Sequence, residues 1–311
     1  GIYDARHSEF VLVTIGHLPP GHDLFSGAAA MSDSGPVIFA PDSADAIGIF
    51  NVTDRTFSAV DIGTVVEGSH KFSCTVVVDS LVILVPFNAH AVGILDVARR
   101  NFSLIGIGGE ASSVGKFSGA AVVQSGQVVF SPFNAASVGI YDAGTRAFTA
   151  VDISATLQGY SKFSGAATAS DGLVYFSPHS ARSVGVFNPA TLGFSIVDVS
   201  QHVTGDSWYS GVIASSGPLI FVPFFADSVG LFDPESSQFS EVPVRDSLER
   251  APGGTSNRKY AAGAACYEGP VIFAPDSVDN VGLFWVTPPS PPPPSSPQPS
   301  LPPPSPPPPS P

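Results

Sequence analysis

Residues 116–154 read KFSGAAVVQSGQVVFSPFNAASVGIYDAGTRAFTAVDIS, and residues 162–200 read KFSGAATASDGLVYFSPHSARSVGVFNPATLGFSIVDVS. The two stretches align without a gap, and related units recur about every 46 residues along most of the chain. A period of this length indicates that one supersecondary unit is copied and that neighbouring copies stack on each other. The repeat therefore determines the fold class before any single residue is considered.

Each unit predicts four short strands. Apolar residues alternate with small or polar ones in four segments of residues 116–154, with a period near two. The turns between them, Ser-Gly, Pro-Phe-Asn-Ala-Ala and Ala-Gly-Thr-Arg, leave no room for a crossover helix, so adjacent strands run antiparallel. Four-stranded antiparallel units of this length are typical of propeller blades. We predict an all-β propeller domain over residues 1–286, followed by a separate tail over residues 287–311.

The number of blades follows from the first strands, of which six can be counted. Residues 1–15, GIYDARHSEFVLVTI, match the second half of a unit, and the last unit stops after its third strand, VGLFWV. Six blades are favoured, closed by joining the two ends of the propeller. Either residues 1–5 or residues 281–286 would then be surplus. A seven-bladed ring with one incomplete blade is the alternative.

Small residues and glycines mark the positions where the predicted strands are crowded. The first strands open with Ser-Gly-Ala or a close variant, which suits the axis of a propeller. A glycine recurs inside the third strand and indicates close approach of another group, for which we expect an aromatic ring of the next blade. A proline ends each second strand. Cys74 and Cys266 are expected to be buried thiols, with a disulfide as the alternative.

The composition excludes two classes of partner. The formal net charge is −13, and only 13% of residues are charged. Nucleic acids and anionic lipids both require a basic protein surface, so neither is expected to bind. No run of about 18 apolar residues occurs, so the sequence predicts no membrane span.

The tail consists almost entirely of proline and serine. Proline lacks an N–H donor and fixes φ, so we expect a polyproline II conformation. The Ser-Pro-Pro-Pro-Pro blocks at residues 290–294 and 305–309 resemble the extensins and hydroxyproline-rich glycoproteins of plant and green-algal walls. An unmodified linker, or a ligand for aromatic-lined grooves, is the alternative. The resemblance implies prolyl hydroxylation and O-linked glycans at Ser290, Pro291, Pro292, Pro293, Pro294, Pro302, Pro303, Pro304, Ser305, Pro306, Pro307, Pro308 and Pro309.

Two sequons add to the prediction of a glycoprotein. Asn51-Val-Thr and Asn101-Phe-Ser both fall near the turn between the third and fourth strands, where an N-linked glycan would reach solvent. Together with the tail they favour a secreted protein at a cell surface, wall or flagellar surface.

A candidate ligand site lies just before the first strands. The residue preceding the first-strand aromatic is lysine in four units, and in a fifth it is Trp208. Equivalent positions would surround the axis, so the ammonium groups could attract an anion or an acidic glycan, while Trp208, Phe224, Phe225 and Tyr160 could stack on sugar rings. Neutralisation of nearby carboxylates, or a polar first residue of each strand, is the alternative. The four lysines are Lys71, Lys116, Lys162 and Lys259.

Histidines and carboxylates concentrate in the loops of the same face. Their spacing follows no HxxxH, HxH or DxDxDG pattern, so we predict no catalytic residues and no dedicated metal site. The paired acidic loops of Asp42 and Asp45 and of Asp276 and Asp279 could hold calcium, with Asx turns as the alternative. The histidines of this face are His17, His22, His70, His90, His179 and His202.

The repeat is similar to the extracellular propellers related to virginiamycin B lyase and to the NHL and Kelch-like classes, through phrases such as Val-Gly-Ile-Tyr-Asp at residues 138–142. That resemblance implies the fold and no particular activity, because propellers host many functions. We predict a non-enzymatic structural glycoprotein that self-associates through its tail into a filament, wall or matrix. A lectin-like glycan-binding propeller is one alternative, and a lyase or hydrolase acting on a polysaccharide or lactone is another.

Overall fold

The computed structural model describes residues 23–32, 34–203, 208–215, 217–244, 258–266 and 269–286, together with the backbone of residues 2–4 and 9–11. These residues form a six-bladed β-propeller, which confirms the predicted fold class and blade number. Residues 287–311, with all predicted hydroxyproline and O-glycan positions, lie outside the described residues, as do His17 and His22. No helix in the described part of the chain is long and apolar enough to cross a membrane.

The first three blades each contain four antiparallel strands in chain order from the axis outward. Blade 1 comprises β3 (Phe25–Ala30), β4 (Val37–Pro41), β5 (Ala46–Asn51) and β6 (Thr56–Asp61). Blade 2 comprises β7 (Phe72–Val78), β8 (Leu81–Pro86), β9 (Ala91–Asp96) and β10 (Asn101–Gly106), followed by a 3₁₀ helix, η1 (Gly108–Ser112). Blade 3 comprises β11 (Phe117–Val122), β12 (Gln127–Pro132), β13 (Ser137–Asp142) and β14 (Ala147–Asp152).

The remaining strands form two further four-stranded blades, a three-stranded blade and a short hairpin. Blade 4 comprises β15 (Phe163–Thr168), β16 (Val174–Pro178), β17 (Ser183–Asn188) and β18 (Gly193–Asp198). Blade 5 comprises β19 (Tyr209–Ile213), β20 (Leu219–Pro223), β21 (Ser228–Asp233) and β22 (Gln238–Pro243). Blade 6 comprises β23 (Tyr260–Ala265), β24 (Val271–Pro275) and β25 (Gly282–Phe284), and the N-terminal hairpin comprises β1 (Ile2–Asp4) and β2 (Glu9–Val11).

The two ends of the propeller do not share a sheet. Strand β1 pairs only with β2 among the described strands, and β25 pairs with β24 as the third strand of blade 6. The predicted closure by pairing of the chain ends is therefore not seen. Strand β25 occupies the outer edge of β24, and no other described strand pairs with β25.

The interior glycine of each third strand lies under aromatic rings. A Cβ at Gly139 would lie 2.9 Å from the Phe148 ring and 3.0 Å from the Phe117 ring. Phe117 and Phe148 belong to the same blade as Gly139, and their ring centroids are 6.2 Å apart. The prediction of close approach was correct, but the expected source was wrong: the rings come from the same blade, because the strand register brings them over the glycine.

The axis is lined by the small residues of the first strands. A Cβ at Gly119 would lie 2.6 Å from the Cα of Gly165 in the next blade, so these strands touch through their backbones. The Ser118 hydroxyl donates a 2.6 Å hydrogen bond to the carbonyl of Phe163, which links the same two blades. Cys74 stands at the glycine position in blade 2, and burial raises the pKa of its thiol to about 12. Both Cys74 and Cys266 are free, as predicted, but half-buried.

Candidate functional site

The first strands of all six blades surround a central cavity of about 250 Å³, lined mainly by serine, glycine and alanine. The cavity offers few side chains that could select a ligand, because most of its lining is backbone and methyl groups. Larger side chains lie at the mouth of this channel, at the end where the first strands begin.

One position in each blade defines this mouth: the residue directly after the proline that ends the second strand. The Phe133 N–H donates to the carbonyl of Lys116 in its own blade at 2.9 Å, and the Phe133 carbonyl accepts from the N–H of Lys162 in the next blade at 2.9 Å. Consecutive blades are thereby joined through this position. Its occupants are Asp42, Phe87, Phe133, His179, Phe224 and Asp276.

Aromatic side chains at and beside this position form a continuous series, here called the aromatic arc. The ring centroids of Phe87 and Phe133 are 5.6 Å apart, and those of Phe133 and His179 are 5.1 Å apart. Trp208 lies 3.5 Å from His179 and 4.6 Å from Phe225. The sequence indicated Trp208, Phe224 and Phe225 as stacking residues and His70 and His179 as loop histidines of the same face, but not Phe87 or Phe133, which join them. The arc consists of His70, Phe87, Phe133, His179, Trp208, Phe225 and Phe224.

Within the described residues, the charged side chains that contact the arc stand at its two ends. In blade 1, Asp42 lies 3.0 Å from His70. Burial raises the pKa of Asp42, and the His70 ring opposes this shift. In blade 6, the Arg258 guanidinium lies 5.3 Å from the Phe224 ring centroid and 3.1 Å from Asp276. The middle of the arc, across blades 2 to 5, is therefore uncharged when His179 is neutral.

Burial keeps His179 neutral. It lowers the pKa of this histidine from 6.5 to about 4, against a smaller opposing effect of a backbone hydrogen bond at Ser161. In the unfolded chain, His179 therefore binds its proton at a higher pH than in the folded chain. Folding stability should decrease as the pH falls from 6.5 towards 4, because unfolding takes up a proton across that window.

The variant His179→Phe tests this linkage, and phenylalanine is the residue that blades 2, 3 and 5 carry at the same position. We expect the free energy of unfolding of the variant, relative to wild type, to rise as the pH falls from 6.5 to 4. The change cannot exceed about 1.4 kcal/mol per pH unit, because one proton is involved. Urea denaturation at several pH values measures it. Parallel pH profiles for the two proteins would show that His179 does not carry the effect.

The four predicted lysines do not form an exposed ring. Lys71, Lys116, Lys162 and Lys259 are at most 5% exposed. The Lys71 ammonium donates to the carbonyls of Ser43 and Ala44, at 3.1 and 3.2 Å, in the loop of blade 1. Long side chains enter the seams between blades because loop carbonyls there need donors. The expected exposed cationic ring is thus corrected to a set of buried cations, and ligand binding by these lysines remains an untested prediction.

The environments of these lysines differ. Lys71 lies 3.3 Å from Asp45, and Lys259 lies 3.1 Å from Asp227. Lys116 instead donates to the Ser113 carbonyl at 2.6 Å. Burial lowers its pKa from 10.5 to about 8, partly opposed by the charge of Glu110. The alternative that the lysines neutralise nearby carboxylates thus fits two of the four.

Most carboxylates of the acidic loops predicted as a possible calcium site are paired with cationic side chains. Asp42 is paired with His70, Asp45 with Lys71, and Asp276 with Arg258, so their oxygens already face cationic partners. Asp279 adds a single exposed carboxylate. Calcium needs six or more oxygen ligands around one point, and within the described ranges no group of three His, Cys, Asp or Glu side chains converges in that way.

One cluster in the described part of the chain combines a histidine, a carboxylate and a serine, between blades 4 and 5. His202 is 3.0 Å from Glu241, and the Ser228 hydroxyl donates to Glu241 at 2.5 Å. The Tyr209 hydroxyl donates to the same carboxylate at 3.3 Å. A nucleophilic serine needs a base that accepts its proton, and here the hydroxyl points to a carboxylate shared by three donors rather than to the histidine. The cluster therefore fits a structural hydrogen-bond network.

The two sequons occupy the expected turns but differ in accessibility. The Asn51 amide donates to Asp54 at 2.9 Å and accepts from the Thr53 N–H at 2.9 Å, whereas Asn101 is exposed at the start of β10. If the chain is N-glycosylated, we expect at least fivefold higher occupancy at Asn101. Glycopeptide mass spectrometry measures both sites, and equal occupancy would contradict the expectation. Asn51→Gln and Asn101→Gln serve as matched controls.

Comparisons with known proteins define the class and no more. No protein-family description matches the chain, and no curated protein does. The structure is similar to virginiamycin B lyase from Staphylococcus aureus, with a TM-score of 0.66 and 17% identity over 84% of this chain and 81% of that one. It is also similar to a streptogramin B lyase, with a TM-score of 0.64 and 16% identity over 87% of each chain. The extracellular domain of a hybrid two-component system from B. thetaiotaomicron gives a TM-score of 0.63 at 9% identity, over 89% of this chain and 33% of that chain. The class is thus the β-propeller; at these identities the lyase activity belongs to those proteins.

Proposed function

We propose that this protein is a non-enzymatic extracellular building block whose proline-rich tail docks on the aromatic arc of a neighbouring copy. The observation that supports this proposal is the arc itself: rings from four consecutive blades in contact at the channel mouth. Its members are half-buried or exposed, so the arc presents part of its aromatic surface to solvent. The proposal assigns this surface of the propeller to the self-association that the sequence predicts.

The chemistry of the tail matches that of the arc. Polyproline II segments bind in grooves lined by aromatic side chains, because pyrrolidine rings pack on flat ring faces and little conformational entropy is lost. Residues 287–311 carry no charged side chain, and the described charged side chains in contact with the arc lie at its ends. The docked tail would therefore bury no unpaired charge in the middle of the arc.

The tail is long enough to reach another copy. At about 3.1 Å per residue in the polyproline II conformation, its 25 residues span about 75 Å. That length exceeds the dimension of a propeller of this size, so docking in trans needs no change in the blades. Each copy carries one tail and one arc, so docking of tail on arc joins copies head to tail, into an open filament or a closed ring according to the rotation between neighbours.

The same proposal places the protein outside the cell. The support is the wall-type composition of the tail, the net charge of −13 and the sequon on the exposed Asn101. Hydroxylation and glycosylation of the tail prolines would stiffen the connector and leave selected blocks bare for docking.

Sedimentation velocity tests the proposal. The full chain should show concentration-dependent association, and deletion of residues 287–311 should leave monomers. Excess free peptide of sequence 287–311 should dissociate the full-length assemblies, while a peptide of the same composition with every second proline replaced by glycine should not. Equal sedimentation of the full and truncated chains at all concentrations would reject assembly through the tail.

Glycan binding by the same arc is the second candidate. Trp208, stacked on Phe225 with an interplanar angle of 26°, presents the kind of ring pair on which sugars stack. A glycan array should then give selective binding that Trp208→Ala abolishes and Trp285→Phe, outside the arc, preserves. An array without selective signal would remove this candidate.

A further inference from the structure

Two of the buried lysines are matched by an aspartate in the preceding blade. Lys71 lies 3.3 Å from Asp45, and Lys259 lies 3.1 Å from Asp227. Both aspartates occupy the same position of the repeat, three residues after the residue that defines the mouth of the channel. A buried ammonium group is costly unless an anion lies close to it, so each aspartate stabilises the lysine of the next blade.

Blade 3 carries alanine at this position of the repeat. The carbonyl of Ala136 accepts a hydrogen bond from the Ile153 N–H at 2.9 Å, as the carbonyl of Asp45 accepts one from the Ile62 N–H at 2.8 Å. The backbone at Ala136 therefore has the same arrangement as at Asp45. The difference is in the side chain, because a methyl group stands where blade 1 has a carboxylate.

The lysine of the next blade, Lys162, is therefore a buried cation without a carboxylate partner. It is 2% exposed, and its ammonium donates a 2.9 Å hydrogen bond to the Gly159 carbonyl. No carboxylate in the described part of the chain forms an ion pair with it. Burial lowers the pKa of Lys162, and the charge of Glu110 opposes this shift from beyond ion-pair distance.

A cavity of about 330 Å³ lies beside Ala136 and Lys162, which both line it. The segment that connects blades 3 and 4 supplies most of the remaining wall. This wall includes the half-buried Leu157 and Tyr160, which is 80% exposed. Every lining residue other than Lys162 is neutral, so the cavity offers a ligand one positive charge among uncharged groups.

Lys116 has no equivalent cavity. The residue at the aspartate position of blade 2 is His90, whose Nδ1 lies 2.7 Å from the carbonyl oxygen of Ala111. The cavity beside His90 is lined by other residues than Lys116, whose side chain is fully buried. Among the lysines that the structure describes, Lys162 is thus the one that combines a missing aspartate with a cavity.

We propose that this cavity binds a small monocarboxylate, which pairs with Lys162 in the place that aspartate takes in blades 1 and 5. One cation matches a single negative charge, and a charge-assisted hydrogen bond is strong where water is partly excluded. The body of the ligand would pack on Leu157 and the Tyr160 ring, so an apolar or aromatic group fits best. The site uses one lysine and lies outside the aromatic arc, so it is independent of docking by the tail.

Titration of the full chain with acetate, isovalerate and phenylacetate tests the site, with the neutral amide of each acid as its control. Calorimetry measures affinity, and the ¹⁵Nζ resonance of Lys162 reports contact with the ligand. We expect phenylacetate to bind most tightly of the three acids, and at least tenfold more tightly than phenylacetamide. Equal affinities of acid and amide, or no saturable binding of any acid up to about 10 mM, would overturn the proposal.

Two substitutions of equal size separate charge from shape. Ala136→Asp supplies the carboxylate that blades 1 and 5 carry, so it should weaken phenylacetate binding at least tenfold and raise the midpoint of thermal unfolding. Ala136→Asn has the same shape without the charge and should bind within about threefold of wild type, a difference of about 0.6 kcal/mol or less. Equal loss of binding in the two variants, or an unfolding midpoint of Ala136→Asp no higher than that of Ala136→Asn, would overturn the proposal.

Discussion

Gly119→Ala should lower the free energy of unfolding by about 3 kcal/mol, because it overpacks the axis of the propeller. The new Cβ would lie 2.6 Å from the Cα of Gly165 and 3.1 Å from its carbonyl carbon. Both contacts are with backbone, so no side chain can rotate away. The hydrogen bond from Ser118 to the Phe163 carbonyl holds the two strands at this distance. Urea denaturation followed by circular dichroism measures the change.

Gly211→Ala is the matched control for this prediction. Gly211 occupies the same position in blade 5, yet no atom lies within 4 Å of the Cβ that alanine would add. The substitution should change the free energy of unfolding by no more than about 0.5 kcal/mol, as for substitutions that create no clash. Equal losses of stability for the two variants would show that contact between neighbouring first strands is not what requires glycine.

Trp208→Ala should weaken binding of the tail peptide by about 30-fold or more. Trp208 packs against three other members of the arc, His179, Phe224 and Phe225, and a well-packed tryptophan in an interface commonly contributes about 2 kcal/mol or more. The measurement is calorimetric titration of the chain lacking residues 287–311 with the free peptide 287–311.

A second substitution separates binding from folding. Four other blades carry lysine at the position of Trp208, so Trp208→Lys restores the residue that the repeat otherwise uses and should preserve the blade. It should lose peptide binding as Trp208→Ala does. Trp285→Phe, which changes a ring outside the arc, should bind like wild type. Undiminished binding by Trp208→Lys would exclude the arc as the docking surface.

The blade was predictable from the sequence, and the arc was not. Alternation with a period of two and short turns define four strands without reference to distant residues. Phe87 and Phe133 are about 46 residues apart, and they become neighbours only because the propeller brings the same position of consecutive blades together. The recurrent proline marks that position, so reading the residue after each proline would have revealed four aromatic side chains.

The lysines show why the position of a residue in the repeat does not determine the direction of its side chain. The sequence placed Lys71 and Lys116 correctly at the start of the first strands. Whether their ammonium groups face solvent or a seam depends on where unpaired carbonyls lie, and those carbonyls belong to loops that the repeat does not specify. The loop of residues 43–45 supplies two carbonyls and a carboxylate to Lys71, which favours the buried orientation.

Photocrosslinking tests the central claim, docking of the tail on the arc of a second copy, most directly. A benzophenone amino acid replaces Phe225 in a full-length chain, which is mixed with an equal amount of isotopically heavy wild-type chain and irradiated. The account predicts crosslinks from position 225 to residues 287–311 of the heavy chain. Crosslinks confined to the propeller, or to the tail of the same molecule only, would contradict it.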